Sequence, residues 1–164
     1  MAESRSCKVG DVLCTLCCDT HGVPAIGKPN HHLCELCVPE KGCRKYSERP
    51  SGCAGLECAF KQDLRPEDTW PHTAGFVQER IFNELLGWVW TICEGRNGAL
   101  QSSLARREIA WALAERKIVA LETTAGKMMF IIPIGRRISS TAQLVLATNG
   151  AQLVFEEDLF RESV

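Results

Sequence analysis

The sequence lacks the features that mark secreted and membrane proteins. Its apolar runs are far too short to cross a hydrocarbon core of about 30 Å, so we expect no transmembrane segment. No positively charged segment followed by an apolar stretch begins the chain, which argues against a secretory signal. These two absences predict a cytoplasmic protein with no membrane partner.

An excess of one charge and familiar catalytic motifs are also missing. The formal net charge is −1 at pH 7, so no global field draws the chain to nucleic acid or anionic lipid. The sequence contains no glycine-rich phosphate loop, no HExxH motif and no nucleophile elbow, and no carboxylate can be paired with His72 for acid–base chemistry. The sequence therefore neither predicts nor excludes an enzyme.

Cysteine, in contrast, is abundant and unevenly distributed. Nine of the ten cysteines fall within the first 58 residues. A Cys-x2-Cys turn directs two thiolates at one centre, and two such turns complete a tetrahedral sulfur site. In a reducing cytosol we expect metal ligands rather than disulfides. The predicted ligands are Cys14, Cys17, Cys18, Cys34, Cys37, Cys43, Cys53 and Cys58.

The identity of the metal is left open by the spacing. Zinc and iron–sulfur clusters both take sets of four cysteines, and we expect zinc, with iron or a [4Fe–4S] cluster as the alternative. The adjacent Cys17 and Cys18 direct their side chains apart, which favours two centres or one larger cluster. His21, His31 and His32 could complete a mixed site, but a surface position is the other interpretation, favoured for His21.

The residues around Cys43 resemble a known signature. Residues 42–53 read GCRKYSERPSGC, which resembles the G-C-x-I-Y-x-x-R-P-x-x-C-R-x-F signature of YkgJ-type cysteine-cluster proteins. The Cys-x2-Cys-Cys at residues 14–18 looks like the CxxCxxCC opening of that family, and residues 55–58 and 64–66 look like its continuation. The resemblance covers roughly residues 10 to 75. It implies a domain that chelates zinc or iron through these cysteines.

The composition divides the chain into two regions. Residues 1–72 form the predicted cysteine-cluster module, which ends in a linker-like stretch, Lys61 to His72. This region has few apolar periods, so metal ligation is expected to supply folding energy. Residues 73–164 are predicted to form a small α+β domain.

The second region gives the clearer signals of secondary structure. Aromatic and β-branched residues favour strands, and an apolar stripe with Ser102 or Ser103 as a cap favours a helix. A single helix over residues 76–93 is the alternative to the first hairpin. The predicted elements are a hairpin of 76–82 and 88–93, a helix of 100–117, strands at 118–123 and 128–132, and a second hairpin of 144–146 and 153–155 around Asn149-Gly150.

Together these elements predict an α+β fold, in which a small metal-organised cysteine-rich module packs on an antiparallel sheet with one main helix. Cys93 is expected to be a buried core thiol. Residues 96–137 carry eight basic and three acidic side chains, so nucleic-acid binding is possible there, although a charged outer helix face is the preferred interpretation.

The expected function is metal binding at a structural site that supports interaction with an unknown macromolecular partner. An iron–sulfur redox or iron-handling protein is one alternative. A zinc-dependent nucleic-acid-binding protein is the other.

Overall fold

The computed structural model describes residues 5–159. The secondary structure of the first region consists of short elements: β1 (Lys8–Val9), β2 (Val12–Leu13), α1 (Cys17–Thr20), β3 (Cys37–Val38), β4 (Gly42–Cys43), α2 (Ser51–Ala54) and α3 (Pro71–Ala74). The elements of the second region are longer: β5 (Phe76–Asn83), β6 (Gly87–Glu94), α4 (Ser103–Ala114), β7 (Ile118–Glu122), β8 (Met128–Ile132), α5 (Ser140–Thr148), β9 (Gln152–Phe155) and α6 (Glu156–Leu159).

The centre of the fold is a five-stranded mixed sheet. Its strands lie in the order β5-β6-β7-β8-β9. The pairs β5–β6 and β7–β8 are antiparallel, whereas β6–β7 and β8–β9 are parallel. A parallel pair needs a long crossover, and α4 and α5 provide these two connections. The mixed α/β character is as predicted, but the sheet is antiparallel only in part.

The first predicted hairpin is confirmed, and the alternative of one helix over residues 76–93 is wrong. Strands β5 and β6 pair from Phe76 opposite Glu94 to Asn83 opposite Gly87. The turn is stabilised by the Asn83 Oδ1, which accepts hydrogen bonds from the backbone N–H groups of Leu85 and Leu86 at 2.9 and 3.1 Å. Gly87 has φ +77°, a conformation that glycine adopts without steric cost.

The predicted main helix is confirmed as α4, although it is shorter than expected. Ser102 is the cap, since its Oγ accepts a hydrogen bond from the Ala105 N–H at 3.1 Å. The helix ends before Arg116, which has φ +58°. It covers one face of the sheet, where the buried core consists of Ala59, Phe76, Trp90, Ile92, Ala105, Ala112, Leu113, Val119 and Ile131.

The predicted second hairpin is wrong in its first half. Residues 144–146 belong to helix α5, and only Gln152–Phe155 forms a strand, which runs parallel to β8. Ser139 caps the helix by accepting a hydrogen bond from the Ala142 N–H at 3.1 Å. Asn149-Gly150 is the end of this helix: Gly150 has φ +77° and donates to the Ala147 carbonyl. The same dipeptide serves hairpins and helix ends, because both require a left-handed residue.

Helix α5 and the cysteine-rich region each cover part of the opposite face of the sheet. Successive strand residues alternate between faces, so Val89, Thr91 and Cys93 lie opposite to Trp90 and Ile92. Leu146 of α5 packs at one end, in a cluster with Leu86, Val89, Ile118, Ala120, Phe130 and Ile132. The cysteine-rich region covers the other part, where Cys58, Phe60 and Trp70 pack on Val77.

The linker-like stretch is packed rather than loose. Thr69 and Trp70 are buried, and Arg65 reaches helix α4. The Arg65 guanidinium donates to both carboxylate oxygens of Glu108, at 2.6 and 3.1 Å, and lies 3.5 Å from the centre of the Trp111 ring. This contact joins the two regions of the chain.

Glu108 is fully buried but well supplied with donors. In addition to Arg65, its carboxylate accepts hydrogen bonds from Arg107 and, at 3.2 Å, from Gln78. Burial raises the pKa of this carboxyl, but the hydrogen bonds from Arg65, Arg107 and Gln78 outweigh burial, and the pKa lies below its ordinary value. Glu108 is therefore held as a carboxylate.

Among residues 5–159, no helix is both long enough and apolar enough to cross a bilayer.

Candidate metal centres

The described part of the first region, residues 5–72, is called the cysteine module below. Its backbone brings cysteines from separate segments together. The Cys34 N–H donates to the Cys18 carbonyl at 3.0 Å, and the Cys37 N–H donates to the Cys34 carbonyl at 2.8 Å. Strands β3 and β4 then place Cys37 opposite Cys43. The Cys18 thiol thus lies near those of Cys17 and Cys37.

Six of the predicted ligands form one neighbourhood, called the six-thiol group. Cys53, which lies in α2, completes it, because its thiol interacts electrostatically with Cys18, Cys34 and Cys43. The group comprises Cys17, Cys18, Cys34, Cys37, Cys43 and Cys53. Its thiols come from four stretches of the chain.

The thiols of this group disfavour one another's ionisation. The Cys17 side chain, followed by burial, raises the pKa of Cys18 far above its usual value. Burial, followed by the Cys18 thiol, raises the pKa of Cys37 to about 12. Several thiols held together in this way can all become thiolates when a divalent cation supplies the opposing charge. The donor chemistry of the group fits zinc.

The other two predicted ligands, Cys14 and Cys58, lie in a separate place together with Cys7. These three cysteines are called the three-thiol group. Burial raises the pKa of Cys14 to about 11, and the Cys7 and Cys58 thiols contribute to the shift. The Cys14 N–H donates to the Cys7 carbonyl at 2.9 Å, which also accepts from Trp70 Nε1 at 3.3 Å. Cys7 had no place in the predicted ligand set, since its spacing follows none of the Cys-x2-Cys pairs. The antiparallel pairing of β1 with β2 places Cys7 beside Cys14.

The cysteine sulfurs are neighbours rather than a closed tetrahedron. In a four-thiolate zinc site the sulfurs lie about 3.8 Å apart, since each Zn–S bond is about 2.3 Å. Within residues 5–159, no three cysteine sulfurs lie within 4.8 Å of one another. Metal binding would therefore draw the thiols closer together.

Two basic side chains lie among the thiols. The Lys28 ammonium is buried and donates to the carbonyl oxygens of Asp19, at 3.2 Å, of Pro29, at 3.1 Å, and of His21. Its charge opposes the upward pKa shift of Cys18. The Arg49 guanidinium lies 3.9 Å from the centre of the Tyr46 ring, and its charge acts on Cys53 in the same direction. Both cations are placed to offset thiolate charge.

The three candidate histidines differ in their contacts and in their exposure. His21 Nε2 lies 2.6 Å from Glu79 Oε1 on β5, and His31 Nε2 lies 3.0 Å from Glu122 Oε1 on β7. His32 is exposed, with Nδ1 2.9 Å from the Asn30 carbonyl. The His21 side chain is 22% exposed and pairs with a carboxylate of the sheet.

A second cluster of possible ligands lies between the cysteine module and the sheet. Cys93 is buried, as predicted, but its Sγ donates to Glu122 Oε2 at 3.6 Å. His31, Cys93 and Glu122 each offer one ligand atom, and these atoms all lie within 4.8 Å of one another. Burial, followed by the Glu122 carboxylate, raises the pKa of Cys93 well above its usual value.

A small cavity adjoins this cluster. Its volume is about 220 Å³, and Cys93, Glu122, His21 and Glu79 are among the residues that line it. The remaining wall is mostly apolar and includes Val89, Ala120, Met128 and Phe130. Only part of this cluster has a sequence signal: Glu122 is the polar end of the otherwise apolar strand β7, whereas Cys93 lies one residue before the end of β6. Only the register of β6 with β7, which pairs these two residues, brings them together.

The basic residues of 96–137 are partly engaged within the protein. Arg107 donates to Asp68 at 2.7 and 2.8 Å, and Arg116 donates to the Ile134 carbonyl. The Lys117 ammonium lies 4.0 Å from the centre of the Trp111 ring. These three cations are oriented by internal contacts, and of the three only Arg107 lies on helix α4.

No protein-family model matches the chain, and no curated protein or solved structure is significantly similar to it. The resemblance in residues 42–53 therefore rests on its motif residues alone.

Proposed function

We propose that this protein is a zinc-binding cysteine-cluster protein whose cysteine module is ordered by metal and supports a surface for a macromolecular partner. The observation that carries the proposal is the six-thiol group, because it unites thiols from four stretches of the chain. The likeness to YkgJ-type proteins points in the same direction. All ten cysteines are free thiols, which is consistent with a reducing cytoplasm.

Residues 5–58 of the module have little else to hold their shape. Within residues 5–58, the buried apolar side chains are Val23, Cys37 and Cys58. The helices and strands of this stretch are two to four residues long. A segment that buries so little apolar surface needs metal ligation to offset its loss of chain entropy.

Zinc is preferred over an iron–sulfur cluster for this role. Sets of cysteines that close around one ion in small modules are the usual composition of structural zinc sites. The buried Lys28 and the neighbouring Arg49 would offset the negative charge that four thiolates leave on a divalent ion. An iron–sulfur cluster would make the module a redox centre instead.

An exposed apolar surface favours a protein as the partner. The Phe82 and Trp88 side chains are 61% and 55% exposed, and their rings pack edge to face with centres 5.4 Å apart. Ile81 and Leu85 are exposed on the same hairpin. Exposed apolar groups of this kind mark interaction sites, and they suit a protein better than the engaged cations suit nucleic acid.

The test is a metal analysis of the full chain purified without air, together with its visible absorption spectrum. We expect stoichiometric zinc and a colourless protein. Iron and sulfide with a broad band at roughly 400 nm would make the module an iron–sulfur centre. A folded protein without metal would overturn the proposal.

A matched pair of variants assigns the metal to the six-thiol group. Cys34→Ser should lose bound zinc, whereas Leu33→Ser, at an exposed neighbouring position, should keep it. Equal zinc content in both variants would exclude Cys34 as a ligand.

A further inference from the structure

We propose that His31, Cys93 and Glu122 form a second zinc site, separate from the thiol groups of the cysteine module and open to the adjoining cavity. The three ligand atoms lie within 4.8 Å of one another. His31 Nε2 lies 3.0 Å from one Glu122 oxygen, and Cys93 Sγ lies 3.6 Å from the other. Ligands of one tetrahedral zinc lie about 3.3 to 3.8 Å apart, given bonds of about 2.0 to 2.3 Å.

The backbone holds two of these ligands rigidly. Cys93 and Glu122 are direct partners in the parallel pairing of β6 with β7, inside the central sheet. Ligands on neighbouring strands keep their separation better than ligands on loops. Forming the site would therefore require little movement of the sheet.

The third ligand is held in a strained conformation. His31 has φ +53°, which is unusual for a residue with a Cβ, and its N–H donates to the Thr20 carbonyl at 3.1 Å. Such conformations are found where a side chain must be aimed at a functional site. Here the loop aims the imidazole at a carboxylate in the wall of the sheet, where its side chain is only 10% exposed.

The donor chemistry selects the metal. An imidazole, a thiolate and a carboxylate suit zinc and its neighbours, whereas calcium and magnesium prefer sets of oxygen ligands. Three protein ligands are typical of zinc sites that keep one position for water or a small ligand.

The cavity offers room for such a ligand. It has a volume of about 220 Å³, and both Cys93 and Glu122 line it. The second histidine–carboxylate pair, His21 and Glu79, lines the same cavity. A small Lewis base bound to the metal would therefore lie in a mostly apolar space, with the His21–Glu79 pair among its polar neighbours.

The site is tested by metal counting on the full chain supplied with only as much zinc as the thiol groups of the cysteine module take up. Co²⁺ is added, and the bound ions are counted by native mass spectrometry. We expect the wild type to bind one more ion than Cys93→Ser, Glu122→Gln or His31→Asn. His32→Asn is the matched control, because its exposed ring should leave the count unchanged. Equal counts in all variants would leave only a hydrogen-bonded cluster and overturn the proposal.

A measurement on the wild type keeps the test decisive if a variant fails to fold. X-ray absorption at the cobalt edge should show one sulfur together with nitrogen and oxygen neighbours, and azide should change the cobalt spectrum by occupying the open position. A cobalt shell of sulfur alone, or one without sulfur, would overturn the assignment. An unchanged spectrum with azide would overturn the open position. The proposal for the cysteine module fails separately, if the purified protein holds no zinc beyond the one ion that Cys93→Ser loses.

Discussion

The cysteine module and the sheet region, residues 73–159, are stabilised in opposite ways. The sheet region has strands of up to eight residues, a helix of twelve residues, and a buried core on each face. In the module, residues 5–58 bury three apolar side chains, and their positions are fixed by turns and backbone hydrogen bonds. One region can fold by hydrophobic burial. For the other, the proposed metal would supply the missing cross-links.

Metal removal should have the largest effect and should act on the two regions differently. A strong chelator should unfold the module and leave the sheet region folded, because metal binding in such modules is worth about 10 kcal/mol or more. Hydrogen exchange measured by mass spectrometry should show lost protection in residues 5–58 and unchanged protection in β6 and β7. Equal protection with and without chelator would mean that the module holds its fold unaided.

Glu108→Gln should have the next largest effect, because it breaks one of the contacts that join the regions. The change leaves Arg65, whose side chain is only 10% exposed, without its charged partner, which should lower the free energy of unfolding by about 3 to 5 kcal/mol. Urea denaturation measures the loss. Glu115→Gln, an exposed position just beyond the same helix, is the control and should change stability very little.

The same carboxylate should make the stability of the fold depend on pH. The pKa of Glu108 is lower in the folded protein than its ordinary value, against the effect of burial, because Arg65, Arg107 and Gln78 donate to it. Its contribution is therefore complete above the ordinary carboxyl pKa of about 4.3 and is lost as the pH falls through the lower folded value. The urea midpoint should fall over this acidic range, and less so in Glu108→Gln. Parallel curves for the two proteins would refute this account.

Lys28→Met should act on the module alone. It removes the donor to three backbone carbonyls, and hydrogen bonds to a charged group are worth about 1.5 to 3 kcal/mol. We expect weaker zinc binding in competition with a coloured chelator and unchanged exchange protection in β6. Lys41→Met, at an exposed position in the module, is the control. Protection lost equally in β6 would show that Lys28 supports the whole molecule.

Ser139→Ala should have the smallest effect and act on the sheet region alone. Loss of the helix cap should cost about 1 kcal/mol of stability. Thermal unfolding measures the change, and zinc content should stay the same. Ser140→Ala, one residue further and without the capping contact, should be close to neutral.

Local signals predicted much of the sheet region. The aromatic and β-branched runs marked β5 to β8, and the Ser102 cap marked α4. The direction of pairing was missed, because a strand carries no local mark of whether its neighbour runs parallel. Helix α5 was missed because Asn149-Gly150 fits a hairpin and a helix end equally well.

For the candidate metal centres, the sequence predicted the type of ligand but not which ligands lie together. Spacing found eight cysteines, but it gave no means of separating Cys14 and Cys58 from the other six, or of adding Cys7, since that division follows from how the β1–β2 ribbon lies on Trp70. The cluster of His31, Cys93 and Glu122 joins residues 91 positions apart and depends on the register of two strands. No local pattern contains that information.

The sequential order of the five strands bears on how the chain acquires its structure. Each strand pairs with the next one along the chain, so the sheet is assembled from contacts of short loop length, which form quickly. The module contacts the sheet through His21 and His31, whose partners lie 58 and 91 positions further along the chain. We therefore expect the module, although synthesised first, to settle last, and pulse-labelled refolding should show β6 and β7 protected before residues 5–58. A ribosome-bound chain would then hold its thiols exposed until the sheet had emerged, and the proposed metal would have to reach them in this interval, before they oxidise.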